Sequence, residues 1–397
     1  MSRNTERIVV VGASLAGLRA IEALRREGHE GPIVAIGAEP QLPYDRPPLS
    51  KQFLKGDWEE DRLPLRRDGV EDLGVDWRLG IAARSLDLGA GQVELESGER
   101  VDYDALLIAT GTVARALPFG GGLGGVHLLR TLEHARALRE ELAEAKHVLI
   151  VGAGFIGMEV AATCRQRGLA VTVVEPLEQP LVRGLGPELG AWVGDRHREE
   201  GVDVRCGVGV AGFEGDARVE AVKLTDGSLV PADVAVVGIG ARPATDWLVD
   251  SGLALDDGVV CDASGATSVP NVFAAGDVAR WAGTRLEHWT SAVEQGTHVA
   301  TRILGGESVA PLEHLPYVWT DQFDLRLQIA GHVAPGDAQH VCHGSLDPDG
   351  DRRFVVLFGR EGRLVAAVGN KRPRQLIAVR KRMAAGVSFE EAIAENG

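Results

Sequence analysis

The sequence predicts an α/β protein: two βαβ units, each on a parallel sheet, followed by a smaller α+β segment. Three observations predict it. A glycine-rich turn follows a short β-branched run twice, at residues 12–17 and 152–157. Each turn opens an amphipathic stretch and then a second apolar run that ends near an acid. A second pair of look-alike segments, 93–111 and 222–240, follows the two turns in the same order.

The first unit opens on a strand predicted over residues 7–11. The turn Gly12-Ala13-Ser14-Leu15-Ala16-Gly17 leads into a helix predicted to reach about residue 26. A strand over 33–36 follows, with Glu39 just beyond it, ~20 residues after the glycines. The second unit repeats the plan with a strand over 148–151 and the turn Gly152-Ala153-Gly154-Phe155-Ile156-Gly157. Its helix is predicted to about residue 167, and its second strand over 170–174 ends at Glu175. A turn of this kind lets a dinucleotide pyrophosphate approach the backbone, and the helix start offers free N–H groups and a positive dipole end. Ser14 takes the middle glycine position of the first turn, and serine is small enough to keep that approach.

The segments VELESGERVDYDALLIATG and VKLTDGSLVPADVAVVGIG each read as a hairpin with a glycine turn, then an acid (Asp104, Asp233), an apolar strand and a final glycine. This repeat points to duplication or convergence on one plan. A helix predicted over 132–144 leads into the second unit. Further on, the runs 354–358 and 364–368 flank Arg360-Glu361-Gly362-Arg363 and predict a β-hairpin, with helices near 375–383 and 389–395.

The bulk numbers exclude several classes. The 397 residues allow two or three domains. The net charge of −15 argues against bulk nucleic-acid binding. Cys164, Cys206, Cys261 and Cys342 form no Cys-x-x-Cys pair and have no metal-ligand spacing, so no metal site is expected. No apolar run reaches the ~20 residues of a membrane span, and residues 2–7 carry no secretory pattern. The expected location is the cytoplasm, with no membrane and no nucleic acid among the partners.

Specific segments carry a resemblance over nearly the whole chain. The strand through Ala274-Ala275-Gly276-Asp277 resembles the one that returns to the FAD unit in flavoproteins with two dinucleotide domains, the glutathione-reductase-like plan. Tyr44-Asp45-Arg46-Pro47-Pro48-Leu49-Ser50-Lys51 resembles the flavin-contact segment of the FAD-dependent NADH:ferredoxin reductases. That family includes putidaredoxin reductase, rubredoxin reductase and the reductases of aromatic-ring dioxygenases. Glu287-His288-Trp289-Thr290-Ser291-Ala292 and Trp319-Thr320-Asp321-Gln322-Phe323 fall where the family has flavin-proximal segments.

The resemblance implies two Rossmann-like dinucleotide-binding domains and a small α+β C-terminal domain. The FAD domain is expected over 1–112 and 241–313, the NAD domain over 113–240 and the C-terminal interface domain over 314–397. Gly12, Ser14, Ala16 and Gly17 would serve the FAD pyrophosphate, with Arg130 beside it and Ile81 on the adenine side. Arg46, Pro48 and Lys51 would lie by the flavin, Asp277 with Gly276 by the ribityl chain, and Glu287 and Trp289 at the pyrimidine edge. Thr110 and Gly111 close the first unit, and Gly240 the second. The family's ribose acid matches Ala38 here, and Glu39 is expected to replace it. Gly152, Gly154, Ile156 and Gly157 would hold the nicotinamide dinucleotide. A carboxylate at Glu175 accepts from both ribose hydroxyls and repels a 2′-phosphate, which favours NADH over NADPH. Arg183 follows it, a cation that can accommodate a phosphate; the family has an arginine near this position that serves NADH. Lys51 and Glu159 are the expected pair near the flavin N5, and Trp319 is the expected aromatic cover on the electron exit path.

The implied reaction is electron transfer from NADH through FAD to an iron–sulfur ferredoxin that serves a monooxygenase or dioxygenase. Disulfide reductases of this fold need a cysteine pair beside the flavin, where this chain has Pro47-Pro48-Leu49-Ser50. The alternative acceptor is a small molecule: a quinone, a radical or oxygen. A signalling or scaffold role is the reading from another class, and it lacks the long insertions such proteins carry. Lys371, Arg372, Arg374, Arg380, Lys381 and Arg382 form a basic run suited to transient electrostatic docking of an acidic ferredoxin.

Overall fold

The computed structural model describes residues 6–66, 68–347 and 350–395. They form two compact units. The first joins the residues up to 45 with 61–113 and 241–316, and the second joins 46–60, 114–240 and 317 onward.

The first unit is built on a five-stranded parallel sheet in the order Val272–Ala274, Ala105–Ile108, Ile8–Val11, Ile33–Gly37, Val75–Leu79. Its central strands are near-continuous Val, Ile and Leu because both faces are covered. The helix Leu15–Arg26 buries Leu18, Ile21 and Leu24 completely, at the three-residue spacing of one helix face. Burial of each such side chain contributes roughly 1.5–3 kcal/mol. The helix stops at Gly28, which takes φ +88°. Its partner, the helix Trp289–Gly305, approaches so closely that a Cβ on Gly296 would sit 2.3 Å from the Ala16 carbonyl oxygen.

The second unit repeats the parallel sheet in the order Asp203–Cys206, Ala170–Glu175, His147–Val151, Val234–Val237, Val126–Leu128. The paired sequence segments correspond to paired structures. Three-stranded antiparallel sheets form from Ala83–Asp87, Gln92–Leu95 and Arg100–Asp102, and from Val210–Glu214, Ala221–Leu224 and Leu229–Pro231. The repeated acid has one job in both. Asp104 accepts from the Arg7 N–H at 2.6 Å, and Asp233 accepts from Lys146 and His147 N–H at 2.7 and 2.8 Å. Each carboxylate thereby satisfies backbone donors at the foot of its unit's first strand.

The C-terminal segment holds more sheet than the predicted hairpin. Five antiparallel strands run in the order Tyr317–Gln322, Leu325–Gly331, Arg363–Asn370, Phe354–Arg360, Ala338–His343. The helices Pro373–Ala384 and Phe389–Ala394 belong to this segment, and Leu376, Val379 and Ala392 join its core. The helix Pro187–Glu199 also meets this sheet, with Trp192 edge-on to Phe354 at 5.1 Å. Residues 46–60, read from sequence as part of the first domain, pack with the second unit. Phe53 is buried there, and the Arg139 guanidinium lies 4.9 Å over its ring.

Candidate functional site

Each glycine of the second turn does different work. Gly152 takes φ +99°, and a Cβ there would lie 2.5 Å from the Gly238 carbonyl oxygen. A Cβ on Gly157 would lie 2.1 Å from the Gly152 carbonyl oxygen. These two close the turn on the strand. Gly154 meets no protein atom within 4 Å, so its missing side chain leaves space outside the turn. That is the division of labour a dinucleotide turn requires. Gly152→Ala is therefore expected to destabilise the unit by a few kcal/mol, read as a lower melting temperature of the free protein. Gly154→Ala is expected to leave that temperature within about a degree and to raise the Kd for NADH instead.

The first turn has the same form. Gly12 takes φ +122° with a Cβ position 2.0 Å from the Ala109 carbonyl oxygen, and Gly17 stands 2.1 Å from the Gly12 oxygen by the same measure. The helices Leu15–Arg26 and Phe155–Gln166 start without a side-chain cap and without an acid in the first turn. By contrast, Thr131 caps Leu132–Glu141 and Ser388 caps Phe389–Ala394. Uncapped N–H groups behind a glycine turn suit an anion. Both turns fit the dinucleotides that the sequence implies.

Around the first turn, the Glu39 carboxylate accepts from the Tyr44 hydroxyl at 2.5 Å, while Ala38 is exposed. The Trp289 indole N–H donates to Asp45 at 2.9 Å, which ties the start of its helix to the Tyr44–Asp45 segment. Gly276 donates its N–H to Gln295, and the Thr110 hydroxyl donates to the Ala244 carbonyl. Gly111 takes φ +69° and Gly276 φ +76°. Arg285 reaches both Glu287, at 2.7 Å, and the Asp277 carbonyl. Ile81 is half-buried and donates its N–H to the Gly37 carbonyl.

In the second unit, Glu175 sits at the end of its strand and accepts from the Ala153 N–H at 2.8 Å and the Leu177 N–H at 3.0 Å. The carboxylate is thereby fixed against the glycine turn. Ile156 is exposed at the helix start, and Arg183 is exposed on the short helix Val182–Leu185. Gly240 takes φ +96°, with nothing within 4 Å of a Cβ. Arg46 donates to the Arg130 carbonyl at 2.8 Å, and Pro48 is buried in the turn Pro47–Ser50.

The most unusual feature of this unit is a buried ion pair. Lys51 Nζ lies 2.8 Å from Glu159 Oε2, with side chains 12% and 7% exposed. The same oxygen accepts from the Ser50 hydroxyl at 2.5 Å, and Oε1 accepts from the Thr320 hydroxyl at 2.7 Å. Thr163 donates to the Ser50 carbonyl at 2.8 Å and anchors the segment. A buried carboxylate with three donors is satisfied. Trp319 precedes Thr320 on the strand, half-buried and 6.4 Å from Tyr317.

Sequence reasoning paired Lys51 with Glu159 but missed Ser50, Thr320, Gln322 and His197. Gln322 donates to Thr320 at 3.0 Å and meets His197 Nε2 at 2.9 Å. A signal was present: Thr320 and Gln322 are two apart on a strand and so share a face. His197 is fully buried, and burial pushes its pKa down to about 4. Because the folded value lies below the unfolded one near 6.5, its contribution to stability is complete above about pH 6.5 and is lost as pH falls toward 4. His197→Gln, which can keep a donor toward Gln322, is expected to remove up to roughly 3 kcal/mol of the stability loss over that window. Denaturant titrations of both proteins at several pH values measure the difference.

All four cysteines are free. Burial pushes the Cys164 and Cys261 thiols up to about 12 and Cys342 to about 11, and it also raises Cys206. Among the described residues, no group of His, Cys, Asp and Glu could hold a metal, and no helix is long and apolar enough to cross a membrane.

A family model described as pyridine nucleotide-disulphide oxidoreductase matches residues 6–296, and one described as reductase C-terminal matches 317–396. The ferredoxin reductase component of chlorobenzene dioxygenase from Cupriavidus sp. (strain PS12) is 39% identical over 391 residues, covering 97% of this chain and 94% of its own. The ferredoxin–NAD(+) reductase subunit of the benzene 1,2-dioxygenase system of Pseudomonas putida is 39% identical over 96% of this chain and 93% of its own. A chain in the crystal structure of the covalent putidaredoxin reductase–putidaredoxin complex matches with a TM-score of 0.90 and 32% identity, over 96% of this chain and 94% of that one.

Proposed function

The chain belongs to the pyridine nucleotide-disulphide oxidoreductase family, and from that premise we propose that it is an FAD-dependent NADH:ferredoxin reductase that feeds an oxygenase. FAD, when bound, accepts two electrons as hydride from NADH and releases them singly to an iron–sulfur acceptor. The chain's own residues bind, orient and supply charge. Gly12, Ser14, Ala16 and Gly17 present uncapped N–H groups to the FAD pyrophosphate, and Gly152, Gly154 and Gly157 do so for NADH. Glu175, fixed by two backbone donors, selects the unphosphorylated ribose. Lys51, held by Glu159, is a buried ammonium for negative charge that builds up on reduction, and Trp319 is the aromatic assigned to the exit path.

The observation that carries this reading within the family is the Ser50–Lys51–Glu159 cluster. A hydroxyl and an ammonium stand where disulfide chemistry would need thiols. The four thiols are protonated at neutral pH, and the thiolate is the reactive form. The four free cysteines also support a reducing compartment, the cytoplasm.

The basic run is thinner as a docking surface than its sequence suggests. Lys371 pairs with Asp324, Arg382 with Glu395, and Arg380 lies over the Tyr317 ring. Arg374 and Lys381 stay on the exposed face of Pro373–Ala384, beside Ile377 at 56% exposure. Those three are the contacts we assign to an acidic ferredoxin.

Stopped-flow mixing of the flavin-loaded protein with NADH, before and after thiol alkylation, tests the reading. Equal rates of flavin bleaching support it. Loss of bleaching on alkylation would return the chain to cysteine chemistry.

A further inference from the structure

We propose that Thr320, Gln322 and His197 are positioning residues for the Glu159–Lys51 pair, forming a one-directional chain of donors that ends on Glu159 and keeps its carboxylate an acceptor. The proposal rests on the reading of that pair given above.

The direction follows from counting protons. Lys51 only donates, so Glu159 Oε2 must accept from it. The Thr320 hydroxyl has one proton, which goes to Glu159 Oε1. Thr320 must therefore accept from its other neighbour, which is the Gln322 amide nitrogen. That orientation turns the Gln322 carbonyl toward His197, so His197 must carry a proton on Nε2. Among the described residues nothing partners His197 Nδ1. A neutral ring has one N–H, and among the described residues its partner is Gln322. The Phe323 ring packs against the imidazole in a T-shaped arrangement, centroids 4.9 Å apart.

Every member is buried. Thr320 and His197 are 0% exposed, Gln322 1%, and Ser50 and Glu159 5%. Reversal would require the Gln322 amide to flip, the His197 tautomer to change and Glu159 to take a proton, all together. Each of these leaves a buried group mispaired unless the others follow. The chain thus keeps both Glu159 oxygens acceptors, one toward Thr320 and the other toward Lys51. The charged groups facing the chain are Lys51 and Glu159 at one end. At the other, Arg196 and Glu200 stand beside His197.

The test uses the flavin-loaded full chain. Selective 15N labelling of histidine reads the His197 tautomer by NMR, and the Nε2–H form is expected. The infrared carboxylate band of Glu159, assigned by difference against Glu159→Gln, is recorded at neutral pH without NADH. Thr320→Val keeps shape and strand propensity but neither donates nor accepts. It is expected to shift the frequency of that band and to slow flavin reduction by NADH about tenfold, the effect of losing one donor to a carboxylate. Thr320→Ser should restore both. Gln322→Leu, which leaves Thr320 in place, should change both in the same direction by less, and it serves if Thr320→Val does not fold. An Nδ1–H tautomer, or an unmoved band and rate, would overturn the proposal while Lys51→Met and Glu159→Gln remained slow. If those two variants reduced flavin at the parent rate, the reading of the pair would itself be wrong.

Discussion

Lys51→Met is expected to slow flavin reduction by NADH by about 100-fold, with little change in NADH affinity. Methionine nearly matches the lysine stem in volume, so the buried segment around Leu49 and Phe53 keeps its packing. Glu159 is not orphaned, because Ser50 and Thr320 still donate to it. What is lost is one fixed ammonium, and removing one preorganised charge-stabilising donor typically costs on the order of 10²–10³ in rate. Glu159→Gln should act through the same ammonium, since Lys51 then lacks the carboxylate that holds it in place. The double variant should therefore be little slower than either single one. Single-turnover stopped flow reads all three. Rates that multiply would show that the two residues act independently.

Glu175→Gln is expected to raise kcat/KM with NADPH about tenfold or more and to lower it with NADH by a similar factor, each about 1.4 kcal/mol. The substitution removes a charge that repels a 2′-phosphate and weakens hydrogen bonds to the ribose hydroxyls. The amide oxygen can still accept one of the two backbone N–H groups from Ala153 and Leu177, so the turn is not released. Arg183, exposed on Val182–Leu185, is the cation assigned to receive the phosphate. Adding Arg183→Ala should abolish the gain with NADPH while leaving the loss with NADH. Steady-state kinetics with both nucleotides decides it.

Much of the architecture was legible because local sterics write it into residue type. Gly12 and Gly152 need positive φ beside a carbonyl, and only glycine tolerates both. The alternation of period and the repeated acids placed both parallel sheets. The strand Leu325–Gly331 was missed although LRLQIAG alternates in the manner of a strand. Tyr317–Gln322 carries no such alternation: three apolar residues precede three polar ones, and its buried side chains are the polar Thr320 and Gln322. The placement of residues 46–60 was not legible at all. A short segment between strands carries no local mark of which unit receives Phe53 and Leu54. The donor chain was likewise invisible, because its links join residues 125 and 161 positions apart. Only tertiary structure brings such residues together.

Electrons from NADH leave through an iron–sulfur partner. Cytochrome c reduction by the purified flavoprotein and NADH, measured with and without a ferredoxin across a panel of small acidic ferredoxins, tests this. Slow reduction without ferredoxin and a saturable acceleration with at least one member are expected. Equal rates with and without every ferredoxin, alongside rapid turnover of a quinone or oxygen, would contradict it and make the acceptor a small molecule.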